Sequence, residues 1–138
     1  MVPYSTDGEG KAYTASSTTN IYKNGLFVAT VPGFAIAWID NNQLLLNNYS
    51  ASGPFFIYAN ASIYSATGTL LSTPTLPELY NVQPVNSTSI YVPSLNQVLA
   101  LPSGTATYSS TTPLTGAAAV SGTQVIFVSG TRVVTDTY

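Results

Sequence analysis

The chain contains neither cysteine nor histidine. Ser-His-Asp and Cys-His nucleophilic sites therefore cannot form, and imidazole or thiolate ligands for zinc or copper are absent. No glycine-rich phosphate loop followed by Lys-Ser or Lys-Thr occurs. The acids are few, and Asp40 lies in a predicted turn, so a carboxylate pair for glycoside hydrolysis is not expected. The sequence predicts a protein that is not an enzyme and has no catalytic, cofactor or metal site.

Charge is also scarce, because only 6% of the 138 residues are charged and the net charge is −2. Lys11, Lys23 and Arg132 are the only cations, which argues against nucleic-acid binding and polybasic membrane recruitment. No apolar run approaches the roughly 20 residues of a membrane span. So little charge gives weak protection against self-association. We therefore expect an assembled or exported protein, extracellular or at the cell surface.

Helix signals are nearly absent from the chain. Apolar residues occur as short β-branched or aromatic clusters bounded by Gly, Pro, Asn and Ser, as in residues 26–31, which stop at Pro32-Gly33. Trp38, the single tryptophan, lies inside the apolar run 34–39 and is predicted to be in the core. This pattern predicts an all-β fold with a single domain over residues 1–138.

An internal repeat organises these strands. Residues 39–46, 85–92 and 120–127 each read as one β-branched residue, four polar residues and three apolar residues, which predicts a hairpin. A second kind of hairpin alternates with the first and turns at glycine, at Gly25, Gly68 and Gly104. The extra length between the first two copies lies in residues 48–58, within which residues 49–54 read as an inserted loop.

Two alternating hairpins make an antiparallel four-stranded unit that resembles a β-propeller blade. The units lie near residues 2–31, 35–73, 81–109 and 116–138. A two-sheet β-sandwich gives similar hairpin spacing and remains the alternative.

The last unit supplies three strands rather than four, so one strand position beside residues 130–138 is predicted to be vacant. The edge there includes Arg132, Val133 and Val134. The chain's own N-terminus or a strand from another chain would fill it, because an unfilled edge invites aggregation.

Two sets of polar and aromatic residues are candidates for modification or ligand contact. Asn48, Asn60 and Asn86 each begin an Asn-X-Ser/Thr acceptor pattern for N-glycosylation. Tyr49, Phe55 and Tyr58 fall in the inserted stretch and could stack on sugar rings.

Together these observations predict a non-enzymatic extracellular or surface structural module that self-associates. It would be a glycoprotein, and it would form either a closed oligomer or a filament in which each subunit is completed by a neighbouring chain's strand. The alternative is a lectin-like β module that binds a carbohydrate or a peptide. The expected partners are copies of the chain itself or a glycan, with no nucleic acid and no membrane span.

Overall fold

The computed structural model describes residues 9–15, 17–109, 118–121, 124–129 and 132–137. Within these ranges the regular structure consists of fourteen antiparallel strands without a helix, which confirms the all-β prediction. The strands are β1 (Gly10–Ala15), β2 (Thr18–Lys23), β3 (Leu26–Pro32), β4 (Phe34–Asp40), β5 (Gln43–Ser52), β6 (Phe55–Tyr64), β7 (Leu70–Ser72), β8 (Gln83–Asn86), β9 (Ser89–Val92), β10 (Gln97–Ala100), β11 (Ala106–Ser109), β12 (Ala118–Ser121), β13 (Gln124–Ser129) and β14 (Arg132–Thr137).

The described strands form four sheets, each built from consecutive strands. Sheet 1 is β1–β3, sheet 2 is β4–β7, sheet 3 is β8–β11 and sheet 4 is β12–β14, and none of them closes on itself. The sheets occupy residues 10–32, 34–72, 83–109 and 118–137. The repeat units were predicted near residues 2–31, 35–73, 81–109 and 116–138, so each sheet corresponds to one predicted unit. Residues 2–8 and 16 of the first unit and 116–117, 122–123, 130–131 and 138 of the last lie outside the described residues.

The polar turns of sheets 2 and 3 share one local device. The Asp40 carboxylate oxygen Oδ1 accepts a hydrogen bond from the backbone N–H of Asn42 at 2.8 Å. In the next sheet, Asn86 Oδ1 accepts from the backbone N–H of Thr88 at 2.9 Å. Such Asx turns reverse the chain within a few residues and need no tertiary support. The predicted hairpins at residues 39–46 and 85–92 are therefore confirmed.

The glycine turns are present as well. Asn24 and Gly25 have φ angles of 52° and 78° and connect β2 to β3, as a two-residue hairpin with two left-handed positions requires. Gly104 has a φ angle of 75° between β10 and β11, and its backbone N–H donates to the Ala100 carbonyl at 2.8 Å. In both places the chain needs a residue that adopts positive φ without a steric penalty.

Residues 49–54, expected to form a loop, are instead the end of β5 and the two-residue turn that leads into β6. β5 and β6 are ten residues long each and remain paired from Leu44↔Tyr64 to Ser52↔Phe55. The register of β4 on β5 ends at Asn47. Beyond it, residues 48–60 form a two-stranded ribbon closed by Gly53-Pro54. The loop prediction was wrong because the strands pair with each other here, and serines are compatible with a solvated ribbon face.

Sheet 2 is packed on both of its faces. Leu44 and Leu46 of β5 lie in one core cluster with sheet 1, and Leu45 lies in a second cluster with sheet 3. Because side chains alternate along a strand, a continuous apolar run is expected where both faces are covered. Trp38 is only 4% exposed in the first cluster, which confirms its predicted place in the core.

The segment 73–82 connects sheets 2 and 3 without a helix and is tied down at several points. Leu76 and Leu79 are buried in the second cluster. The Leu76 carbonyl accepts from the Tyr58 hydroxyl at 2.8 Å, and the Leu79 carbonyl accepts from Asn47 Nδ2 at 2.8 Å. This anchoring holds the segment against the base of the ribbon.

Candidate binding site

The ribbon separates the three residues predicted to contact a ligand. Tyr49 and Tyr58 are cross-strand partners, and their ring centroids are 6.1 Å apart at an interplanar angle of 74°. Phe55 follows the ribbon turn and pairs with Ser52. Because cross-strand partners share a face and successive residues alternate, Phe55 lies on the face opposite the two tyrosines.

We call these two surfaces the cleft face and the open face of the ribbon. The cleft face carries Tyr49, Ala51, Phe56 and Tyr58, and the open face carries Ser50, Ser52, Phe55 and Ile57. On the open face, Phe55 is 70% exposed and Ile57 is 57% exposed. Nothing within the described part of the chain covers these two apolar side chains, so the open face is an unpartnered apolar surface.

The cleft face borders an open cleft of about 880 Å³. Its walls come from Ser17, the junction of β3 and β4, the ribbon and the segment 73–82. The residues that define its chemistry are Phe34, Asn48, Tyr49, Phe56, Glu78 and Tyr80. This volume falls in the range of small-molecule sites. Four of these six side chains are aromatic, and one is a carboxylate.

Two of the aromatic rings are held firmly. Phe34 and Tyr49 have ring centroids 5.2 Å apart at an interplanar angle of 89°, an edge-to-face contact. Gly33 precedes Phe34 with a φ angle of 109°, and a Cβ atom there would lie 2.8 Å from Asn48 Oδ1. The close approach of this glycine to β5 brings Phe34 beside Tyr49.

Glu78 is the acidic group of the cleft, and a tyrosine hydroxyl donates to it. The Tyr80 hydroxyl donates to Glu78 Oε1 at 2.5 Å. This hydrogen bond first, and the nearby Tyr49 hydroxyl second, hold the pKa of the Glu78 carboxyl below its ordinary value. The carboxylate is therefore ionised at neutral pH. Burial first, and the nearby Glu78 carboxylate second, raise the pKa of Tyr49 to about 12.

The amide groups beside the cleft are engaged in the protein's own hydrogen bonds. Asn48 Nδ2 donates to Ser62 Oγ at 2.9 Å. Asn47, which is buried, donates to the Leu79 carbonyl at 2.8 Å and lies 3.4 Å from the Tyr49 hydroxyl. The polar groups around the cleft thus bond mainly to each other.

Sequence reasoning missed Phe34, Phe56, Glu78 and Tyr80 as site residues. One signal was available, because Glu78 is the only charged residue between Asp40 and Arg132. In the extended segment Pro77-Glu78-Leu79-Tyr80, Glu78 and Tyr80 also fall on the side opposite the buried Leu79. Nothing in the sequence around Phe34 indicates that its ring lies beside Tyr49 in the cleft.

The three glycosylation candidates lie in different surroundings. Asn86 is exposed in the β8–β9 turn, and its Oδ1 accepts from both the N–H and the hydroxyl of Thr88. Asn60 is exposed within β6, whereas Asn48 is partly buried and bonded to Ser62. Glycosylation at these positions stays a prediction.

The predicted edge residues Arg132, Val133 and Val134 open β14. Among the described strands β14 pairs with β13 alone and is therefore one of the two edges of sheet 4.

No protein-family model, curated protein or solved structure matches the chain. The part of the chain that the structure describes contains no helix long and apolar enough to cross a membrane.

Proposed function

We propose that this protein is a non-enzymatic structural module, extracellular or at the cell surface, that assembles with copies of itself. The observation that carries the proposal is the exposed apolar open face of the ribbon, formed by Phe55 and Ile57. Exposed apolar side chains grouped on a projecting element are typical of a protein–protein contact. Residues 41–77, which include the whole ribbon, contain no charged residue that would repel a second copy.

A second exposed apolar patch supports open-ended assembly. Leu26 and Phe27 follow the Asn24-Gly25 turn and are both exposed. They lie at one end of the β2–β3 hairpin, and the cleft beside the ribbon borders the other end, at Pro32. The length of β2 separates these ends by about 17 Å. Two different patches at separate places on the molecule favour a head-to-tail contact, which propagates into a filament when the rotation does not close a ring.

The finer architecture that we propose is propeller-like. The first strands of successive sheets contact one another in series, β1 with β4, β4 with β8 and β8 with β12. Sheet 2 also has a neighbouring sheet on each face, whereas each sheet of a two-sheet sandwich is covered on one face. Both features support an arrangement of blades around a common centre and argue against a two-sheet sandwich.

Sedimentation velocity over a wide range of concentration, with electron microscopy of the same samples, tests the assembly. We expect the mean sedimentation coefficient to rise with concentration and elongated particles to appear in the images. A strict monomer at the highest concentration would contradict the proposal. A particle of fixed size would support self-association but would replace the filament by a closed oligomer.

We further propose that strand addition at β14 contributes to the assembly. Ser129 pairs with Arg132, Val128 with Val133 and Phe127 with Val134. The closing pair of a two-residue hairpin directs its N–H groups across the hairpin, and successive residues alternate. The N–H of Val134 therefore points to β13, and that of Val133 points to the open edge, where an added strand would bond to it.

Because proline lacks the backbone N–H, a proline at residue 133 and a proline at residue 134 remove different hydrogen bonds and should have different effects. We expect Val133→Pro to reduce assembly while the far-ultraviolet circular dichroism and thermal unfolding change little. Val134→Pro should lower the unfolding temperature because it removes a bond to β13. If the chain's own N-terminus fills the edge, Val133→Pro will instead destabilise the monomer. If Val133→Pro leaves both assembly and stability unchanged, strand addition at β14 is wrong.

A further inference from the structure

We propose that the cleft between the ribbon and the segment 73–82 is a binding site for a quaternary ammonium ligand of net positive charge. This inference does not depend on self-association, because the open face and the cleft face are opposite surfaces of the ribbon. It rests on the charge, the ring composition and the hydrogen bonding of the cleft.

The charge of the cleft favours a cation. Among the described residues that line the cleft, Glu78 is the only charged one, and it is ionised at neutral pH. Residues 24–39 and 41–77 contain no charged side chain, so β3, the start of β4, the ribbon and residues 73–77 contribute no cation to the cleft walls. In the described residues Lys23 forms an ion pair with Glu9, and this pair lies at the end of β2 that is away from the cleft. A bound cation would therefore supply the missing counter-charge.

The rings favour a cation that is large and weakly hydrated. Tyr80 is 70% exposed and Phe56 is 74% exposed, so much of each ring is accessible to a ligand. Phe34 and Tyr49 form the adjoining wall. Aromatic faces attract alkylated ammonium groups through the negative potential above each ring, and a quaternary ammonium group loses little hydration on contact.

The hydrogen bonding argues against a sugar as the ligand, because a sugar needs free donors and acceptors on the protein. Asn48 already donates to Ser62, Asn47 to the Leu79 carbonyl and the Tyr80 hydroxyl to Glu78. A quaternary ammonium group makes no N–H bonds and is attracted through its charge and the ring faces, so it needs no further hydrogen-bond partner in the cleft.

Choline is the probe that tests this inference, with its neutral tert-butyl analogue as the matched ligand, in which carbon replaces the ammonium nitrogen. The two have the same shape, so their difference in affinity measures the contribution of the charge. Isothermal titration on the wild-type protein should give binding of choline at least about tenfold tighter than binding of the analogue. Phosphocholine should bind more weakly than choline, because its phosphate brings negative charge near Glu78.

Two variants locate the site. Glu78→Gln keeps the shape of the side chain and should weaken choline binding about tenfold while leaving the analogue unaffected. Glu9→Gln makes the same change of net charge at the Lys23 pair and should leave both affinities unchanged. Circular dichroism and the fluorescence of buried Trp38 report folding of each variant.

Three results would overturn the inference. They are equal binding of choline and its neutral analogue, no binding of choline, or choline binding that Glu78→Gln leaves unchanged. A neutral oligosaccharide that binds the cleft more tightly than choline would instead assign the lectin-like alternative. Sedimentation of the same samples distinguishes these outcomes from a failure of self-association.

Discussion

Replacing Gly104 by alanine should lower the free energy of unfolding by about 3 kcal/mol or more. The added Cβ atom would lie 1.8 Å from the carbonyl oxygen of Thr75, which is a backbone atom. That carbonyl has little room to move, because the Thr75 N–H donates to the Pro102 carbonyl at 3.0 Å and the next residue, Leu76, is buried in the core. The clash adds to the cost of about 1–2 kcal/mol for placing alanine in the left-handed region.

Gly25→Ala is the matched control for this substitution. Gly25 has a φ angle of 78°, close to the 75° of Gly104, and a Cβ there would have no neighbour within 4 Å. This variant should lose only the backbone term of about 1–2 kcal/mol. Denaturant unfolding followed by the fluorescence of Trp38 measures both, and their difference isolates the contact with Thr75. Equal losses in the two variants would show that segment 73–82 does not pack on the β10–β11 turn as described.

Phe55→Ser should raise the dissociation constant of self-association about tenfold. Phe55 is 70% exposed on the open face, and burying such a ring in a contact contributes on the order of 1.5–2 kcal/mol. Ile57→Ser in addition should weaken the association further, because Ile57 extends the same face. Sedimentation equilibrium gives the constants, and thermal unfolding should change little because both side chains are exposed.

Phe56→Ser provides a control on the same ribbon. Phe56 is 74% exposed, and the chemical change is identical, but the side chain lies on the cleft face. Phe56→Ser should leave association unchanged and should weaken choline binding. Phe55→Ser should weaken association and leave choline binding unchanged. Equal weakening of association by Phe55→Ser and Phe56→Ser would mean that the open face is not the contact surface.

The sequence alone determined the elements whose causes are local. Asp40 and Asn86 close their turns with their own side chains, so the repeated hairpins were readable from a few adjacent residues. Asn24-Gly25 specifies a two-residue turn by its backbone preferences. The apolar run at residues 44–46 indicated a buried strand, although not that its two faces would contact different sheets.

Only the tertiary structure decided where the site lies. The stretch from Tyr49 to Ser52 alternates small polar residues with Tyr49 and Ala51, and such a pattern becomes strand or loop according to whether a partner strand is present. The cleft depends on three segments distant in sequence, which bring Phe34, Tyr49 and Glu78 together. The sequence likewise indicates a turn at Gly104, but it does not indicate that this turn lies against Thr75.

The absence of cysteine and histidine and the scarcity of charge directed the functional reasoning, because composition excludes chemistry without any knowledge of the fold. Composition cannot say which face of a strand a side chain occupies. The division of Phe55 and Phe56 between an open face and a cleft face follows from the register of β5 on β6, in which each step of one residue reverses the face. That register exists only when β5 and β6 pair and close at Gly53-Pro54, so the folded structure separates the proposed contact surface from the proposed binding site.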